Sequence, residues 1–592
     1  MSGPIRIANC SGFFGDRPSA AFEMVEDGPI DVLTGDWLAE LTMLILSRIQ
    51  AKRPGQGFAR TFVTQMEQVM GTCLDRGIKV VSNAGGLDPD GCAEAVAEVA
   101  DKLGLHPTIA YVDGDNVLDR AEALWRSGDL LGFDGETLDD VSQLNSANAY
   151  LGCFGIVEAL TQGADIVITG RVTDAAVVCG PAAWHHGWQR DDFDQLAGGV
   201  VAGHVIECGA QATGGNYSFF TEIDGRTEIG GRARFGFPWA DVAADGSSVI
   251  GKHDGTGGTV NVGTVTSQLL YEIGGPAYLG PDVTARFDSL ALDKIADDRV
   301  RISGVRGEAP PSTLKVAMNE LGGYRNSISL ALTGLDIEEK ARFAQATFWD
   351  ACPYGPEDFR SIDEAVVRTD MADAPTQEAA TAVWRLTVKD PDERKVGRAF
   401  SDAFVHTALA GIPGLYGLGG GPRPASPYGI YRPALVPSAL VPQHVHVAGG
   451  STTKVESVAP TGAPIDIADA PPSIPIEGST RLAPLGTIIG ARSGDKGGNA
   501  NIGLFARDVD AWRWLDTTMT SELLRQLLPE TDGMQIDRHR FANLWSLNFV
   551  VHGLLQEGVA ASTRQDPQAK AVGEWLRSRV VPIPESLLPS EG

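Results

Sequence analysis

The sequence predicts an α/β protein with a mostly parallel N-terminal sheet, helices on both faces of it, and a small C-terminal α+β domain. Three observations predict this fold class. The first 200 residues alternate short β-rich runs with stretches of helical spacing, the segment after Gly198 is rich in glycine, and Pro460–Glu477 is rich in proline, alanine and aspartate. Alternation of strand, loop and helix is typical of a parallel sheet that is covered on both faces.

These shifts in composition also predict the domain boundaries. We expect an α/β domain over residues 1–460, which divides into two subdomains near residues 198–275. The proline-rich tract predicts a linker over residues 461–480. Residues 481–592 then form the small α+β domain.

In the N-terminal half, the predicted strands lead through polar loops into helices. The predicted strands are Ile5–Asn9, Ile30–Thr34, Ile78–Ser82, Thr108–Val112 and Asp165–Thr169. The predicted helices begin near Ser19 or span Trp37–Ile49, Gly91–Leu103 and Ala147–Gln162. Glycine, proline, asparagine and aspartate punctuate the segments between them, as expected of turns.

Fewer regular elements are predicted after residue 198. The run His253–Asn261 opens a helix that continues through Tyr271, Ala382–Val388 forms a strand, and residues 411–432 are irregular because they are rich in glycine and proline. In the C-terminal domain, the helix Thr520–Leu528 lies between two β-rich stretches.

Charge and cysteine content exclude several classes of function. The 592 residues carry 48 Lys and Arg against 76 Asp and Glu, a net charge of −28, which argues against nucleic acid or an anionic membrane as partner. The seven cysteines form no C-x-x-C pair, which argues against a disulfide framework or a zinc site. The apolar runs are too short to cross a membrane, so we expect a cytoplasmic protein.

A candidate active site lies where the predicted parallel strands end. Ligands of open parallel sheets bind at the carboxyl ends of the strands, and the loops there carry carboxylates, amides and an arginine. The predicted catalytic residues are Asp16, Asp36, Arg171 and Asp174, and the predicted substrate-binding residues in these loops are Asn9, Ser11 and Asn83.

Several of these residues also have purely structural interpretations. Asp36 can cap the helix that follows it, and Arg171 and Asp174 can form a local ion pair. The turn with Asp113 and Asp115 can hold a divalent cation, although short turns of this composition are common without one.

No sequence motif indicates a nucleotide or metal cofactor. The chain has no complete G-x-G-x-x-G, no P-loop, no G-x-S-x-G elbow and no H-E-x-x-H. We therefore expect no metal centre and no bound cofactor, and coenzyme A only as part of a substrate.

The densest polar motif is Arg492–Gly503, which reads Arg-Ser-Gly-Asp-Lys-Gly-Gly-Asn-Ala-Asn-Ile-Gly. Its glycines allow close approach of the backbone, and its cations can bind a carboxylate or phosphate. It is predicted to be a substrate-binding loop that acts through Arg492, Ser493, Asp495, Lys496 and Asn499. Asp495, Lys496 and Asn499 are expected to face residues 9–16, 36 or 171–174. The alternative is a solvated turn.

Longer motifs resemble those of a known family. They are Ile-Ala-Asn-Cys-Ser-Gly-Phe-Phe-Gly-Asp at 7–16, Leu-Thr-Gly-Asp-Trp-Leu-Ala-Glu-Leu-Thr-Met at 33–43, Ser-Asn-Ala-Gly-Gly-Leu-Asp-Pro at 82–89 and Ile-Thr-Gly-Arg-Val-Thr-Asp-Ala-Ala at 168–176. Over roughly residues 5–450 the chain resembles the AtuA family of acyclic terpene utilisation proteins. The motif at 490–503 resembles the small ferredoxin-like domain that follows in longer members.

The resemblance implies a role in the bacterial breakdown of citronellol- and geraniol-type compounds, or of branched acids as CoA thioesters. We expect a hydratase or lyase of branched-chain or terpenoid acyl-CoA or organic-acid catabolism, which uses carboxylate acid–base chemistry. One alternative is a non-catalytic assembly or acyl-CoA carrier subunit that serves a partner carboxylase or lyase. Another is a metal-dependent hydrolase built on the Asp113 and Asp115 turn. The expected ligand is a small carboxylate or acyl-CoA, and the expected assembly is a homo-oligomer.

Overall fold

A computed structural model describes residues 3–133, 135, 138–223, 234–419 and 423–589. The chain divides into two compact units. The first consists of Met1–Asn319, Tyr431–Val559 and Gln568–Gly592, and the second of Glu320–Ile430 and Ala560–Pro567. Within the described residues, no helix combines the length and the apolar character that crossing a membrane requires.

The first unit contains the predicted parallel sheet. Its five parallel strands lie in the order Ile5–Asn9, Val32–Gly35, Lys79–Ser82, Ile166–Thr169 and Ile109–Asp113. Antiparallel strands extend both edges of the sheet. They are Pro238–Val242, Ser248–Lys252, Arg299–Ser303 and Ala291–Ala296 beyond the first strand, and Gln443–Val447 and Thr453–Val455 beyond the last.

Helices cover both faces of this sheet, as the sequence predicts. Met24, Phe62 and Val96 belong to the core on one face, and Val177 and Val201 to the core on the other. The helices of this unit are Ala20–Glu26, Glu40–Lys52, Arg60–Arg76, Pro89–Leu103, Leu118–Ser127, Phe154–Thr161, Ala176–His186, Phe193–Ile206 and Val262–Leu269. Its further short strands are Leu131–Gly132, Leu144–Ala149, Ala277–Leu279, Thr284–Arg286 and Arg306–Glu308.

The C-terminal part of the first unit is a separate four-stranded antiparallel sheet. Its strands lie in the order Ile489–Lys496, Asn499–Ala506, Ser546–Val551 and Ile536–Phe541, and a two-stranded ladder joins Thr480–Pro484 to Val580–Pro584. Its helices are Val509–Thr518, Ser521–Leu527 and Val572–Ser578. The tract 460–477 before it forms neither helix nor strand.

The second unit is built on its own antiparallel strands. Its core holds Phe348, Trp384 and Phe400. The strands are Ser361–Val367, Thr381–Asp390 and Tyr416–Gly417, with parts of Thr313–Thr333 and Ser426–Pro437, and the helices are Ile337–Ala351, Glu393–Val396 and Arg398–His406.

Three local predictions were wrong. The predicted helix Ala147–Gln162 begins only at Phe154, because residues 144–149 instead pair as a strand with Thr313–Thr333. The stretch 411–432, predicted to be irregular, contains the start of the strand Ser426–Pro437. The predicted loop Arg492–Gly503 is a β-hairpin, in which Lys496 pairs with Asn499 across Gly497 and Gly498. Strand pairing decided each case, and it depends on residues distant in sequence.

Candidate active site

Three acidic side chains meet at the carboxyl ends of the parallel strands. Asp36 follows the strand Val32–Gly35, Asp174 precedes the helix Ala176–His186, and Glu207 follows the buried helix Phe193–Ile206. Each offers a carboxylate oxygen, and these oxygens all lie within 4.8 Å of one another. We call Asp36, Asp174 and Glu207 the carboxylate cluster.

Asp36 is buried and held in one orientation. Its Oδ1 accepts hydrogen bonds from the backbone N–H of Leu38, at 2.9 Å, and from Nδ2 of Asn83. The Asn83 Oδ1 in turn accepts from the backbone N–H of Trp37 at 2.8 Å. Burial, followed by the charge of Asp174, raises the pKa of Asp36 to about 8, although Arg171 and Asn83 oppose this. Asp36 is therefore mostly protonated at neutral pH.

Asp36 is not the cap of a helix, the structural interpretation that the sequence left open. The helix Glu40–Lys52 has Ala39 at its N-cap position, and no side chain caps it. The hydrogen bond from Leu38 instead closes the turn that leads from the strand into the helix.

Arg171 supplies the buried positive charge of the site. Its Nη1 donates to Asp174 Oδ1 at 2.6 Å and to the Leu38 carbonyl at 3.2 Å, and its guanidinium lies 4.0 Å from the ring centre of Tyr150. Burial lowers the pKa of Arg171, but Asp174, Tyr150 and Asp36 together raise it well above its ordinary value. The predicted ion pair thus exists inside the candidate site.

Sequence reasoning missed Glu207. It ends a helix whose residues Leu196–Ile206 are all buried, so its carboxyl is carried into the interior. No described residue donates a hydrogen bond to Glu207 Oε2, and the Nδ1 of buried His204 lies 3.7 Å from Oε1. Burial, then Asp174 and Asp36, raise the pKa of Glu207 well above its ordinary value. The sequence signal that could have identified Glu207 is an acidic residue directly after an apolar helix rich in glycine and valine.

The second aspartate of the Asp113 and Asp115 turn supports Arg171. Asp115 Oδ2 accepts from the Arg171 backbone N–H at 2.9 Å and from Asn148 Nδ2 at 2.7 Å. Burial raises the pKa of Asp115 to about 6. Asp113 instead lies 3.3 Å from His444 Nδ1. The two carboxylates thus have different partners, Arg171 and Asn148 for Asp115 and His444 for Asp113.

The other candidates of the first loop have positioning contacts. Asn9 donates to the Glu207 backbone carbonyl at 3.0 Å and accepts from the Ser11 N–H at 2.9 Å. The Ser11 hydroxyl donates to the Phe13 carbonyl at 3.1 Å. Asp16 accepts from backbone N–H groups of its own loop, at residues 12 and 17. Asn9 therefore supports the carboxylate cluster, whereas Asp16 stabilises its loop.

The C-terminal hairpin contributes two cations to the surroundings of the site. Arg492 donates to Gln211 Oε1, and its guanidinium lies 3.9 Å from the ring centre of Tyr271. The exposed side chain of Lys496 donates to the Glu272 backbone carbonyl at 2.7 Å. The contact with Glu272 lies outside residues 9–16, 36 and 171–174, which were the partners expected from the sequence, and a substrate-binding role of Lys496 stays a prediction.

The remaining hairpin candidates have contacts within the C-terminal part. The Ser493 hydroxyl donates to the carbonyl of Ala569 at 2.7 Å, and Asn499 Oδ1 accepts from the backbone N–H of Gly553 at 2.9 Å. Asp495 is half-buried on the first hairpin strand, opposite Ala500. Ser493 and Asn499 therefore have structural contacts, and their substrate-binding roles stay predictions.

Comparison with known proteins found two matches to sequence families. The profile described as acyclic terpene utilisation family protein AtuA matches residues 5–447, and the profile of the AtuA ferredoxin-like domain matches residues 483–582. No curated protein and no solved structure matches the chain.

Proposed function

The chain belongs to the AtuA family of acyclic terpene utilisation proteins, and we propose that it is a hydratase or lyase of branched-chain or terpenoid acyl-CoA or organic-acid breakdown. The observation that carries this proposal is the pairing of a protonated Asp36 with Asp174, which is ion-paired to Arg171. Two neighbouring carboxyl groups, one with a pKa raised by burial and the other ion-paired to an arginine, can supply an acid and a base at the same pH.

Hydration of an unsaturated acyl group illustrates the proposed chemistry. Asp174 takes a proton from water, the hydroxyl oxygen bonds to the β carbon, and Asp36 donates its proton to the α carbon. The overall change is the addition of one water. The proton gained by Asp174 returns to Asp36 within the carboxylate cluster, whose oxygens lie within 4.8 Å of one another.

The exposure and charge around the carboxylate cluster favour an anionic substrate. The side chain of Asp174 is 26% exposed, whereas Asp36 and Glu207 are buried, so solvent reaches the cluster from the Asp174 side. Two lysines lie at the adjacent residues Tyr271 and Glu272. Lys496 donates to the Glu272 carbonyl, and Lys570 donates to the Tyr271 hydroxyl. Such cations attract a carboxylate or the phosphates of coenzyme A.

The test is the Asp36→Asn variant, assayed on a panel of branched enoyl-CoA and hydroxyacyl-CoA esters. We expect kcat to fall by about 10²–10⁴-fold, which is the usual contribution of a general acid. Asp119→Asn, an exposed aspartate on the helix Leu118–Ser127, is the matched control. Unchanged turnover by a folded Asp36→Asn protein would refute the role of Asp36. Acyl-CoA binding without turnover in the wild type would instead favour the carrier-subunit alternative.

A second candidate is metal-assisted hydration or hydrolysis, which the geometry of the cluster favours. Three carboxylate oxygens within 4.8 Å of one another form a donor set suited to Mg²⁺ or Ca²⁺, and Glu207 Oε2 has no hydrogen-bond donor among the described residues. Isothermal titration with MgCl₂ and CaCl₂ tests this candidate. We expect Glu207→Gln to weaken binding and Glu122→Gln, on an exposed helix, to leave it unchanged; absence of binding to the wild type rejects the metal.

A further inference from the structure

The acid–base chemistry leaves the Arg492–Gly503 hairpin without a role, although this is the densest polar motif of the chain. Several of its contacts fall on one short segment, Leu270–Gly274, which follows the helix Val262–Leu269. We call Leu270–Gly274 the clamped segment. Both lie in the first compact unit.

Two buried asparagines hold the backbone of the clamped segment. Asn501 Oδ1 accepts from the Glu272 N–H at 2.9 Å, and Asn501 Nδ2 donates to the Leu270 carbonyl at 2.8 Å. Asn501 Nδ2 also donates to Asn548 Oδ1 at 2.7 Å. Asn548 Nδ2 donates to the carbonyls of residues 273 and 274, at 3.1 and 2.6 Å. Four backbone groups of the clamped segment are thus held, namely the N–H of Glu272 and the carbonyls of residues 270, 273 and 274.

The glycines of the hairpin permit this close approach. A β carbon at Gly494 would lie 2.4 Å from a ring carbon of Tyr271, and one at Gly503 would lie 2.5 Å from the β carbon of Leu270. Real side chains do not approach this closely, so larger residues would push the hairpin away from the clamped segment. The Arg492 guanidinium covers the same tyrosine ring.

The residue at the centre of the clamped segment has an unfavourable backbone. Glu272 has φ of +55°, in the left-handed region that favours glycine and asparagine. Such conformations persist only where the surroundings determine them, and they concentrate at active sites. Here Asn501 binds the N–H of Glu272 and Lys496 binds its carbonyl.

Contacts of Lys496 link the clamped segment to the candidate active site. The Lys496 ammonium, which binds the Glu272 carbonyl, lies 5.7 Å from the ring centre of Tyr278. That ring centre lies 5.1 Å from the ring centre of His204, whose Nδ1 is 3.7 Å from Glu207 Oε1. In agreement with these contacts, Glu272 contributes to the raised pKa of Glu207 and of Cys208, and Asp174 contributes to the raised pKa of Glu272. Burial is the largest influence on Glu272, and Tyr271, Lys570 and Lys496 oppose it. A glutamate in this position is therefore coupled both to the carboxylate cluster and to cations of the C-terminal part.

We propose that Glu272 is a fourth functional carboxyl of the site, and that the Arg492–Gly503 hairpin together with Asn548 is the device that positions it. This inference rests on the proposed function. It assigns the C-terminal domain a direct role in the acid–base site, in which Asn501 and Lys496 are positioning residues. Glycine would adopt the backbone conformation of position 272 with less strain, so substitution by glycine separates the backbone strain from the role of the carboxyl.

The experiment separates stability from activity at position 272. Glu272→Gly removes the backbone strain and the carboxyl, Glu272→Gln removes only the charge, and Glu272→Asp keeps it. We expect kcat to fall at least about tenfold in the first two variants and to recover in part in Glu272→Asp. The melting temperature of Glu272→Gly is expected not to fall. Loss of the negative charge is also expected to move the acidic limb of the pH profile of kcat to lower pH.

Asn543 provides a matched control for the clamp. Its Nδ2 donates to two backbone carbonyls of another segment, Phe287 and Leu290, at 2.9 and 2.8 Å. We expect Asn501→Ala to lower kcat and shift its pH profile, and Asn543→Ala to lower stability alone. Unchanged kcat in Glu272→Gln, or equal effects of the two alanine variants on kcat, would overturn the inference.

A failure of the proposed function has a different signature. If the wild type turns over no acyl substrate, titration calorimetry with 3-methylbut-2-enoyl-CoA decides the inference. Glu272→Gln is expected to tighten binding of this anion at least about threefold, because Lys496 and Lys570 lose an internal counter-charge. Equal affinities, or absence of binding to both proteins, would overturn it.

Discussion

Asp36 offers a prediction in which stability and activity change in opposite directions. Asp36→Asn replaces a carboxyl that burial holds mostly protonated with an amide of the same shape. The amide oxygen can still accept from the Leu38 N–H and from Asn83. We therefore expect the variant to be more stable than the wild type at neutral pH while it loses turnover, as is common for polar groups kept for function.

The magnitude follows from the pKa of Asp36, which is 3.8 ordinarily and about 8 in the folded protein. Between these values the folded state binds more protons than the unfolded state, so the free energy of unfolding of the wild type falls as pH rises. At pH 7 the accumulated loss is about 4 kcal/mol. Asp36→Asn avoids this loss, but burying the amide costs about 1–2 kcal/mol. The net gain in the free energy of unfolding expected for Asp36→Asn at pH 7 is therefore about 2 kcal/mol.

The assay is urea denaturation at pH 5, 6, 7 and 8, followed by tryptophan fluorescence. Trp37, which is buried beside Asp36, is one of the eleven tryptophans of the chain that contribute to this signal. The stability difference between Asp36→Asn and the wild type should grow with pH and level off above about pH 8. A difference that is constant from pH 5 to 8, or a variant less stable at every pH, would refute the reasoning. Asp119→Asn should show no such trend.

Two further predictions concern the C-terminal domain. Gly503→Ala places a β carbon 2.5 Å from the β carbon of Leu270, so we expect the free energy of unfolding in urea to fall by about 1–3 kcal/mol. Gly533 has no neighbour within 4 Å but has φ of +73°, so Gly533→Ala measures the cost of backbone strain alone. Asp516 lies between Arg538 and Arg540, which lower its pKa to about 2 against the opposing effect of burial. Its stabilisation is therefore present above about pH 4 and lost as pH falls towards 2, so Asp516→Asn should lower the melting temperature at pH 6 and converge with the wild type near pH 2.

The strands and the position of the site were predictable because they depend on local patterns. Runs such as Ile166–Thr169 are fully buried and flanked by turn formers, and parallel strands place their following loops at one edge. Asp36, Arg171, Asp174 and Asn83 were identified in this way, and the structure brings them together. Ser493 and Asn499 were predicted from a dense polar motif, which does not indicate which side chains face a ligand, and the hydrogen bonds of both lie within the C-terminal part.

Glu207 and Glu272 show what the local pattern omits. Glu207 ends a helix, and nothing in its sequence neighbourhood indicates that Asp36 and Asp174 lie beside it. Glu272 depends on contacts with Asn501 across 229 residues of chain. Long-range packing of this kind can be found only from the tertiary structure.

The sequence by itself determined the α/β class, the family and the edge of the sheet at which the acidic loops meet, because these follow from short-range periodicity and from motifs. Only the tertiary structure decided that burial raises the pKa of Asp36, that Asp115 supports Arg171, and that the Arg492–Gly503 hairpin holds Leu270–Gly274. Burial and neighbouring charge set the protonation of a carboxyl, and both are properties of the folded chain.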